Sequence, residues 1–272
     1  MTEHTFPTPE AIELHVELGS GSLSARAGDT DETRVQITGP RADDFEVDQS
    51  GRTISVIAPR QRFGFGNDHH VVEVSLPTGS DLSGKLGSAD TVATGSYHEV
   101  RLKTGSGDVD IETTTGATVI DSGSGDIRCD QVGSDLRIKS GSGDVELGEV
   151  LGTAGISTGS GDVALGRAAG KTVLKTGSGD LQVQRMETDL QLSTASGDLL
   201  VRHAQRGRLA AKTASGDVLV GVPEGTPVWT DISTVTGSVS SDLTGVGKPT
   251  DGQDHVEVRA TSVSGDIRLK QA

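Results

Sequence analysis

The sequence predicts an all-β fold, namely a β-solenoid with coils of about 18 residues and two main strands per coil, preceded by an irregular β lead-in that caps it. Two observations lead to this prediction. The tripeptide Ser-Gly-Asp returns at a nearly fixed interval, and apolar residues alternate with polar ones on both sides of it. The composition agrees, because 38 of 272 residues are glycine and only 2% are aromatic. This suits tight corners around a thin aliphatic interior.

Residues 1–80 are predicted to form the lead-in, a cap of short β-strands that breaks the 18-residue register. Alternating apolar residues separated by turn-forming residues indicate the strands. Such a cap would cover the first edge of the solenoid, because an open stack of strands invites aggregation. The expected strands are Ile12–Leu18, Ser22–Arg26, Arg34–Thr38, Asp44–Asp48, Thr53–Ala58 and His70–Leu76.

Residues 81–272 are predicted to form the solenoid, either as a second domain or as one continuous domain with the lead-in. The aspartates of the tripeptide follow one another at 18-residue intervals from Asp108 to Asp198, and then at intervals of 19 and 49 residues. The longest interval leaves room for a degenerate copy at Thr236-Gly237-Ser238. The complete copies end at Asp108, Asp126, Asp144, Asp162, Asp180, Asp198, Asp217 and Asp266.

Alignment on the aspartate reveals columns of similar residues. Positions six before, one after and three after it are mostly apolar, and serine or threonine stands two and four residues before it. This period of two predicts a strand on each side of a Gly-Ser-Gly-Asp corner. Glycine always precedes the aspartate, which indicates a corner with positive φ or with little space for the next coil. These structural corner residues are Gly107, Gly125, Gly143, Gly161, Gly179, Gly197, Gly216 and Gly265.

The end of the chain is predicted to form the terminal coil. Asp266–Lys270 would be its last strand, with one unpaired edge, and the charges of Arg268 and Lys270 would discourage edge pairing. Cys129 stands in an apolar column where other coils have Ile, Leu or Val, so we expect a buried, small hydrophobic side chain.

Charge and hydropathy exclude several classes of protein. The net charge of −15 argues against binding of a nucleic-acid backbone. No apolar run approaches about 18–20 residues, so we expect no membrane span. Met1–Glu10 has neither a basic start nor an apolar core, which predicts a cytoplasmic protein without a signal peptide. A single cysteine fits that reducing compartment.

The motifs resemble those of a bacterial β-strand-repeat family of unknown function, whose members carry an adhesin label. The resemblance covers essentially the whole chain and implies a β-solenoid fold. It is carried by Thr5-Phe6-Pro7, by Leu18-Gly19-Ser20-Gly21-Ser22-Leu23, by Val74-Ser75-Leu76-Pro77-Thr78-Gly79-Ser80-Asp81-Leu82, and by the serial Thr-Gly-Ser-Gly-Asp-Val corners.

The aspartate column is the sharpest candidate for chemistry, because stacked carboxylates repel one another unless they are compensated. In the hypothesis we favour, each carboxylate accepts hydrogen bonds from amides and hydroxyls of its own corner. In the other, Ca²⁺ lies between coils. We therefore predict no metal and no cofactor. The weak candidate ligands are Asp108, Asp126, Asp144, Asp162, Asp180 and Asp198.

The sequence contains no unique carboxylate pair, nucleophile motif or phosphate-binding loop, so we predict no enzymatic activity. In the lead-in, Phe63 and Phe65 either pack on its core or lie on an exposed loop that docks a partner. The neighbouring His69 and His70 would point to opposite faces of a strand, which does not suit chelation.

These observations predict a non-enzymatic β-solenoid scaffold or protein-interaction module. Its flat faces or an open coil end would engage a protein partner, whose identity is unknown, or a second copy of itself. One alternative is an adhesin-like surface or glycan-binding protein. A second alternative is a calcium-binding β-roll or a polysaccharide lyase-like enzyme.

Overall fold

A computed structural model describes residues 1–59, 69–245 and 252–272. These residues form 25 β-strands and one short 3-10 helix, which confirms the all-β prediction. The chain divides into two compact units, Met1–Ser134 (unit 1) and Asp135–Ala272 (unit 2). The division predicted at residue 80 stays a prediction. Within the described ranges, no helix has the length and apolar character needed to cross a membrane.

Unit 1 contains eleven of the described strands and the 3-10 helix η1. Its elements are β1 (Thr2–Pro7), β2 (Glu13–Gly28), β3 (Glu32–Thr38), η1 (Ala42–Asp44), β4 (Glu46–Ser50), β5 (Thr53–Ile57), β6 (His70–Pro77), β7 (Asp81–Tyr97), β8 (Val100–Thr104), β9 (Val109–Thr114), β10 (Thr118–Ser124) and β11 (Ile127–Val132).

The parallel ladder of unit 1 starts from β2, which has β5 and β6 on one side and β7 on the other. From β7 it continues into two parallel rows, β8 to β10 and β9 to β11. Antiparallel strands lie beside β5 and β6. β4 pairs with β5, β3 pairs with β6, and β1 pairs with β3.

Several predicted boundaries in the lead-in were wrong. The predicted strands Ile12–Leu18 and Ser22–Arg26 merge into β2, which begins at Glu13, because the ladder between β2 and β7 continues through residues 19–21 that separate them. The predicted strand Asp44–Asp48 begins later, since Ala42–Asp44 forms the 3-10 helix. β1, which pairs with β3, was missed entirely.

Unit 2 contains only parallel strand pairs among its described strands. Its strands are β12 (Leu136–Ser142), β13 (Val145–Val150), β14 (Ala154–Ser160), β15 (Val163–Ala168), β16 (Thr172–Ser178), β17 (Leu181–Met186), β18 (Leu190–Ser193), β19 (Leu199–Ala204), β20 (Gly207–Ser215), β21 (Val218–Val222), β22 (Val228–Thr234), β23 (Val239–Ser241), β24 (Val256–Ser264) and β25 (Ile267–Gln271).

These strands form two ladders, one on each side of the repeated corner. One runs β12-β14-β16-β18-β20-β24-β22, and the other runs β13-β15-β17-β19-β21-β25-β23. The spatial order therefore differs from the chain order at the end of unit 2. The predicted terminal strand was wrong, because β25 lies between β21 and β23, and β22 and β23 form the last coil.

The core of unit 2 consists of aliphatic columns. Ile138, Ile156, Leu174 and Leu192 pair in successive strands and are each at most 1% exposed. A second column on the other ladder includes Val163, Leu181 and Leu199. Each buried aliphatic side chain contributes about 1.5–3 kcal/mol, and only the neighbouring coils provide that burial. Cys129 is buried in β11 of unit 1, where it pairs with Ile111 in the apolar column three residues after the aspartate, as predicted.

The corner glycines lie against the backbone of the preceding coil. Gly179 has φ +148°, and a Cβ there would lie 2.2 Å from the carbonyl oxygen of Gly161. Gly107 does not share the positive φ of the other seven predicted corner glycines, but a Cβ there would lie 1.9 Å from the oxygen of Ala89. Close approach of the backbone, more than φ alone, therefore requires glycine at this corner.

We predict that Gly179→Ala lowers the free energy of unfolding by about 2 kcal/mol or more, because it combines backbone strain with a clash that the stack cannot relieve. Urea unfolding followed by circular dichroism measures this. Gly155→Ala is the matched control, since a Cβ at Gly155 has nothing within 4 Å. That control should be neutral or slightly stabilising. An equal decrease in the free energy of unfolding in the two variants would contradict the role assigned to the corner.

Candidate functional site

The aspartate column joins successive coils through their backbone. In unit 2, the Asp162 amide donates to Oδ1 of Asp144 over 2.8 Å, and the Asp180 amide donates to Oδ1 of Asp162 over 2.8 Å. The same bond repeats up to Asp266, with distances of 2.7, 2.7 and 2.8 Å. Oδ1 of each of these acceptor aspartates thus accepts from the amide of the next coil, whereas the favoured hypothesis placed the donors in its own corner.

Unit 1 contains the same arrangement over fewer coils. The amide of Asp108 donates to Oδ1 of Asp90 over 3.1 Å, and that of Asp126 donates to Oδ1 of Asp108 over 2.8 Å. Asp90 follows Ser88-Ala89 instead of Ser-Gly, so it ends a diverged copy of the corner. Its position, 18 residues before Asp108, is the signal that identifies it.

Buried hydroxyl groups form a second set of bonds between coils. Thr176 Oγ1 donates to the carbonyl oxygen of Gly161 over 3.2 Å, and Ser262 Oγ donates to that of Gly216 over 3.2 Å. These side chains are 7% and 1% exposed. These two members of the serine and threonine column, four residues before the aspartate, therefore satisfy a carbonyl of the preceding corner. Ser140 and Thr158, in the same column, instead donate to a carbonyl of their own corner.

The opposite corner of the coil has a sparser set of aspartates that sequence reasoning missed. Oδ1 of Asp81 accepts from the Glu99 amide over 2.9 Å, and Oδ1 of Asp135 accepts from the Thr153 amide over 3.0 Å. Asp189 accepts likewise from the Arg208 amide over 3.0 Å. The hydroxyl of Thr153, which also donates to Oδ1 of Asp135, and then its amide hold the pKa of Asp135 below its ordinary value. These aspartates recur only every third coil, so they do not form a column in the 18-residue alignment.

Several arginines on the outer surface lie between carboxylates of different coils. Arg167 donates to both carboxylate oxygens of Glu187 at 2.9 Å and also contacts Glu149. This guanidinium lowers the pKa of Glu187. Arg208 similarly pairs with Glu257 at 2.6 Å. Basic residues that look scattered in the sequence thus form local ion pairs along the ladders.

The candidate ligands and reactive groups occupy structural positions. Among the described residues, no group of three or more His, Cys, Asp or Glu side chains is placed to hold a metal ion. His70 is buried, with Nε2 2.8 Å from the carbonyl oxygen of Pro40 and its ring edge-on to Phe45. Burial raises the pKa of the Cys129 thiol to about 12. Phe63 and Phe65 lie outside the described residues.

The last coil of unit 2 presents a different surface. We define the terminal coil as Val228–Ser241, which contains β22 and β23. Three of its large hydrophobic side chains are exposed, Trp229 by 52%, Val235 by 76% and Val239 by 52%. The guanidinium of Arg259 lies 5.6 Å from the centre of the Trp229 ring. Among the described residues, three of the seven large hydrophobic side chains that are exposed thus lie on this coil.

The terminal coil is bound to the coil before it by the same repeated bonds. The Ser238 amide donates to Oδ1 of Asp266 over 2.9 Å, and Thr234 Oγ1 donates to the carbonyl oxygen of Gly265 over 3.0 Å. Ser238 stands at the aspartate position, so the coil receives a carboxylate bond without offering one. The degenerate Thr236-Gly237-Ser238 was the sequence signal for this coil.

The chain matches one protein family and is similar in fold to several solved structures. A family model described as Toastrack DUF4097 matches residues 10–270. No curated protein matches the chain. Among solved structures, the chain is similar to a "putative adhesin" from Bacteroides fragilis, with 16% identity, a TM-score of 0.38, and coverage of 98% of this chain and 96% of that one.

Two Parabacteroides structures are also similar. One is a "putative adhesin" from Parabacteroides merdae, with 10% identity, a TM-score of 0.41 and coverage of 98% and 95% of the two chains. The other is a "putative lipid binding protein" from Parabacteroides distasonis, with 13% identity, a TM-score of 0.38 and coverage of 98% and 96%.

We predict that Asp180→Ala lowers the free energy of unfolding by about 1 kcal/mol, because the amide of Asp198 loses its acceptor. Asp180→Asn keeps an acceptor oxygen and removes one of the stacked like charges, so it should unfold close to the wild-type midpoint. Chemical unfolding of the three proteins provides the comparison. If alanine and asparagine had the same effect, the hydrogen bond would not be the contribution of this side chain.

A pH dependence is expected from Asp266. The amide of Ser238, and then the side chain of Arg268, hold the pKa of its carboxyl below the ordinary 3.8. This interaction stabilises the fold fully above the unfolded-state pKa, and the contribution is lost as the pH falls through the lower folded-state pKa. Below about pH 4, Asp266→Asn should therefore lose less thermal stability than the wild type does. If the melting temperatures of the two proteins fell by the same amount from neutral to acidic pH, the result would count against this assignment.

Proposed function

The chain belongs to the Toastrack DUF4097 family, and from this premise we propose that it is a non-enzymatic β-solenoid scaffold that binds a protein partner through its terminal coil. The observation that carries the proposal is the exposure of Trp229, Val235 and Val239 on one coil at the end of the ladders. Exposed apolar side chains that cluster together typically mark an interaction surface.

The composition of the terminal coil supports this role. Aromatic residues are enriched and charged residues are depleted at the centre of protein interfaces. Trp229 is the single tryptophan of the chain, and Asp231 is the single charged residue among residues 228–241. The nearby guanidinium of Arg259 favours one orientation of the indole ring, so less side-chain entropy is lost when a partner covers it.

The use of the aspartates supports the non-enzymatic part of the proposal. A catalytic acid or a calcium ligand needs a carboxylate oxygen that faces its substrate or ion. In the repeated column, the Oδ1 atoms of Asp162, Asp180 and Asp198 are engaged by backbone amides of the next coil. These carboxylates therefore serve to hold the coils together.

A cytoplasmic location is part of the same proposal. It is motivated by the acidic composition and by the single free cysteine, Cys129, which is buried. Cell fractionation followed by immunodetection provides the test. Recovery of the protein at the cell surface would instead favour the adhesin-like alternative, in which the terminal coil contacts a glycan or another cell.

We predict that affinity purification from a lysate of the source organism recovers partner protein with the wild-type chain and loses it with Trp229→Ser. Leu151→Ser is the matched control, because Leu151 is 50% exposed but lies outside the terminal coil. Quantitative mass spectrometry of the three samples measures the difference. Equal recovery by the two variants would refute the assignment of the surface, and no specific partner with any of the three would refute the scaffold role.

A further inference from the structure

Lysines are concentrated at one position of the repeat. Five of the eight lysines of the chain stand five residues before Asp90 or before a corner aspartate. In unit 2, the residues at this position pair directly with one another across successive strands of one ladder. We call them the lysine row, and in ladder order they are Lys139, Ser157, Lys175, Ser193, Lys212 and Thr261. Lysine thus alternates with a side-chain hydroxyl from one strand to the next.

The lysine row lies on the outer surface of the ladder. Leu174 and Thr176, the chain neighbours of Lys175, are buried. Lys139, Lys175 and Lys212 are exposed. Within the described ranges, no ion pair includes any of these three lysines. Their ammonium groups are therefore available to an anionic ligand.

Acidic residues are absent from the strands that carry most of the row. The strands β12, β14, β16, β18 and β20 contain five basic residues and no acidic residue, although the chain has 39 acidic residues. The acidic residues nearest along the chain stand four residues from the row, as Asp189 does from Ser193. On β24, Glu257 is also four residues from the row, and it pairs with Arg208 and Arg259. This face is therefore a basic surface on an acidic protein, and it attracts negative charge locally.

The spacing of the lysines restricts the kind of anionic ligand. They lie on alternate strands, so successive lysine Cα atoms are about 10 Å apart, at two strand spacings. An extended peptide presents the side chains of one face about every 6.6 Å. A nucleic-acid strand carries a phosphate about every 3.4 Å. A docked amphipathic helix requires a hydrophobic groove, whereas Ser157 and Ser193 lie between the lysines. None of these three ligands matches the row.

We propose that the lysine row binds a linear acidic polysaccharide in which a sugar with a carboxylate alternates with a neutral sugar. A sugar ring in an extended chain is close in length to one coil spacing, so successive carboxylates of such a polymer are separated by about two coils. Each lysine ammonium then pairs with one carboxylate. The hydroxyl groups of Ser157 and Ser193 hydrogen-bond to the neutral sugar between two carboxylates.

The row has no aromatic ring on which a sugar could stack, so binding depends on several weak, exposed contacts made along one polymer. Affinity therefore rises with the length of the polymer, because each further contact is made within the same complex. The inference goes beyond the proposed function. It concerns a different surface from the terminal coil, and it neither requires nor contradicts the proposed location.

The test uses the purified full chain and hyaluronan oligosaccharides, in which glucuronate alternates with a neutral amino sugar. Fluorescence polarisation of end-labelled oligosaccharides measures the dissociation constant. We expect this constant to fall as the oligosaccharide lengthens from one repeat to several, and to rise as added salt screens the exposed charges. Uncharged dextran oligosaccharides of the same length should not bind. Absence of binding to hyaluronan at every length would overturn the inference.

Two double variants locate the site. Lys175→Ser with Lys212→Ser introduces the residue that neighbouring coils have at this position, and it should weaken hyaluronan binding by about fivefold or more because two exposed ion pairs are lost. Arg202→Ser with Lys270→Ser is the matched control, since it removes the same charge from exposed positions of the other ladder. Thermal unfolding checks the fold, and Lys175→Gln with Lys212→Gln is a second pair that keeps long polar side chains. Equal binding by the lysine pair and its control would contradict the assignment.

Two other polyanions test the class of polymer. Poly-L-glutamate and single-stranded DNA should bind more weakly than hyaluronan at the same concentration of anionic groups, and equal or tighter binding of either would overturn the polysaccharide assignment. The proposed function fails or stands separately. Trp229→Ser should retain hyaluronan binding, and the lysine pair should retain capture of the protein partner. Loss of hyaluronan binding in Trp229→Ser would move the site to the terminal coil and overturn the inference.

Discussion

The contact between the corners of successive coils is the constraint on which the rest of the structure depends. Each corner amide reaches the carboxylate of the preceding coil, as Asp180 does to Asp162 at 2.8 Å. That approach leaves no space for a Cβ at Gly179, which would meet the oxygen of Gly161 at 2.2 Å. Because each corner connects the two ladders through a short turn, as between Ser142 and Val145, the interior between the ladders is thin, and aliphatic side chains such as Ile156 and Leu174 fill it. The scarcity of aromatic residues is a consequence of the corner.

Much of this architecture is predictable because the contacts connect residues at a constant separation along the chain. A bond between coils that repeats every 18 residues leaves a column in the alignment, and the glycine and aspartate columns are of this kind. The same reasoning fails where the contact is not periodic. The antiparallel pairing of β1 with β3 leaves no column. β2 stays continuous through Gly19-Ser20-Gly21 because it pairs with β7 on both sides of this segment. A turn propensity considers only the local residues and therefore takes no account of that pairing.

The candidate site was harder to predict because it depends on spatial order. Sequence reasoning placed the open edge at Asp266–Lys270, since that segment ends the chain. The structure inserts β24 and β25 between β20 and β21 on one side and β22 and β23 on the other. The 49-residue interval between Asp217 and Asp266 indicated an extra coil but not its position. The pairing of β22 with β24 and of β23 with β25, together with the bond from Ser238 to Asp266, establishes that this coil lies outside the last one in the chain.

The position of Arg268 and Lys270 sharpens the argument about the open end. Both belong to β25, which is paired on both sides, so neither lies on the strand that forms the edge. Natural sheets protect an open edge with charges, bulges or covering strands, and unit 1 has antiparallel strands beside β5 and β6. The terminal coil has Trp229 and two exposed valines with a single charge, Asp231. An edge that had to be kept apart from other strands would carry the opposite composition, and this supports the contact surface proposed at this end of the ladder.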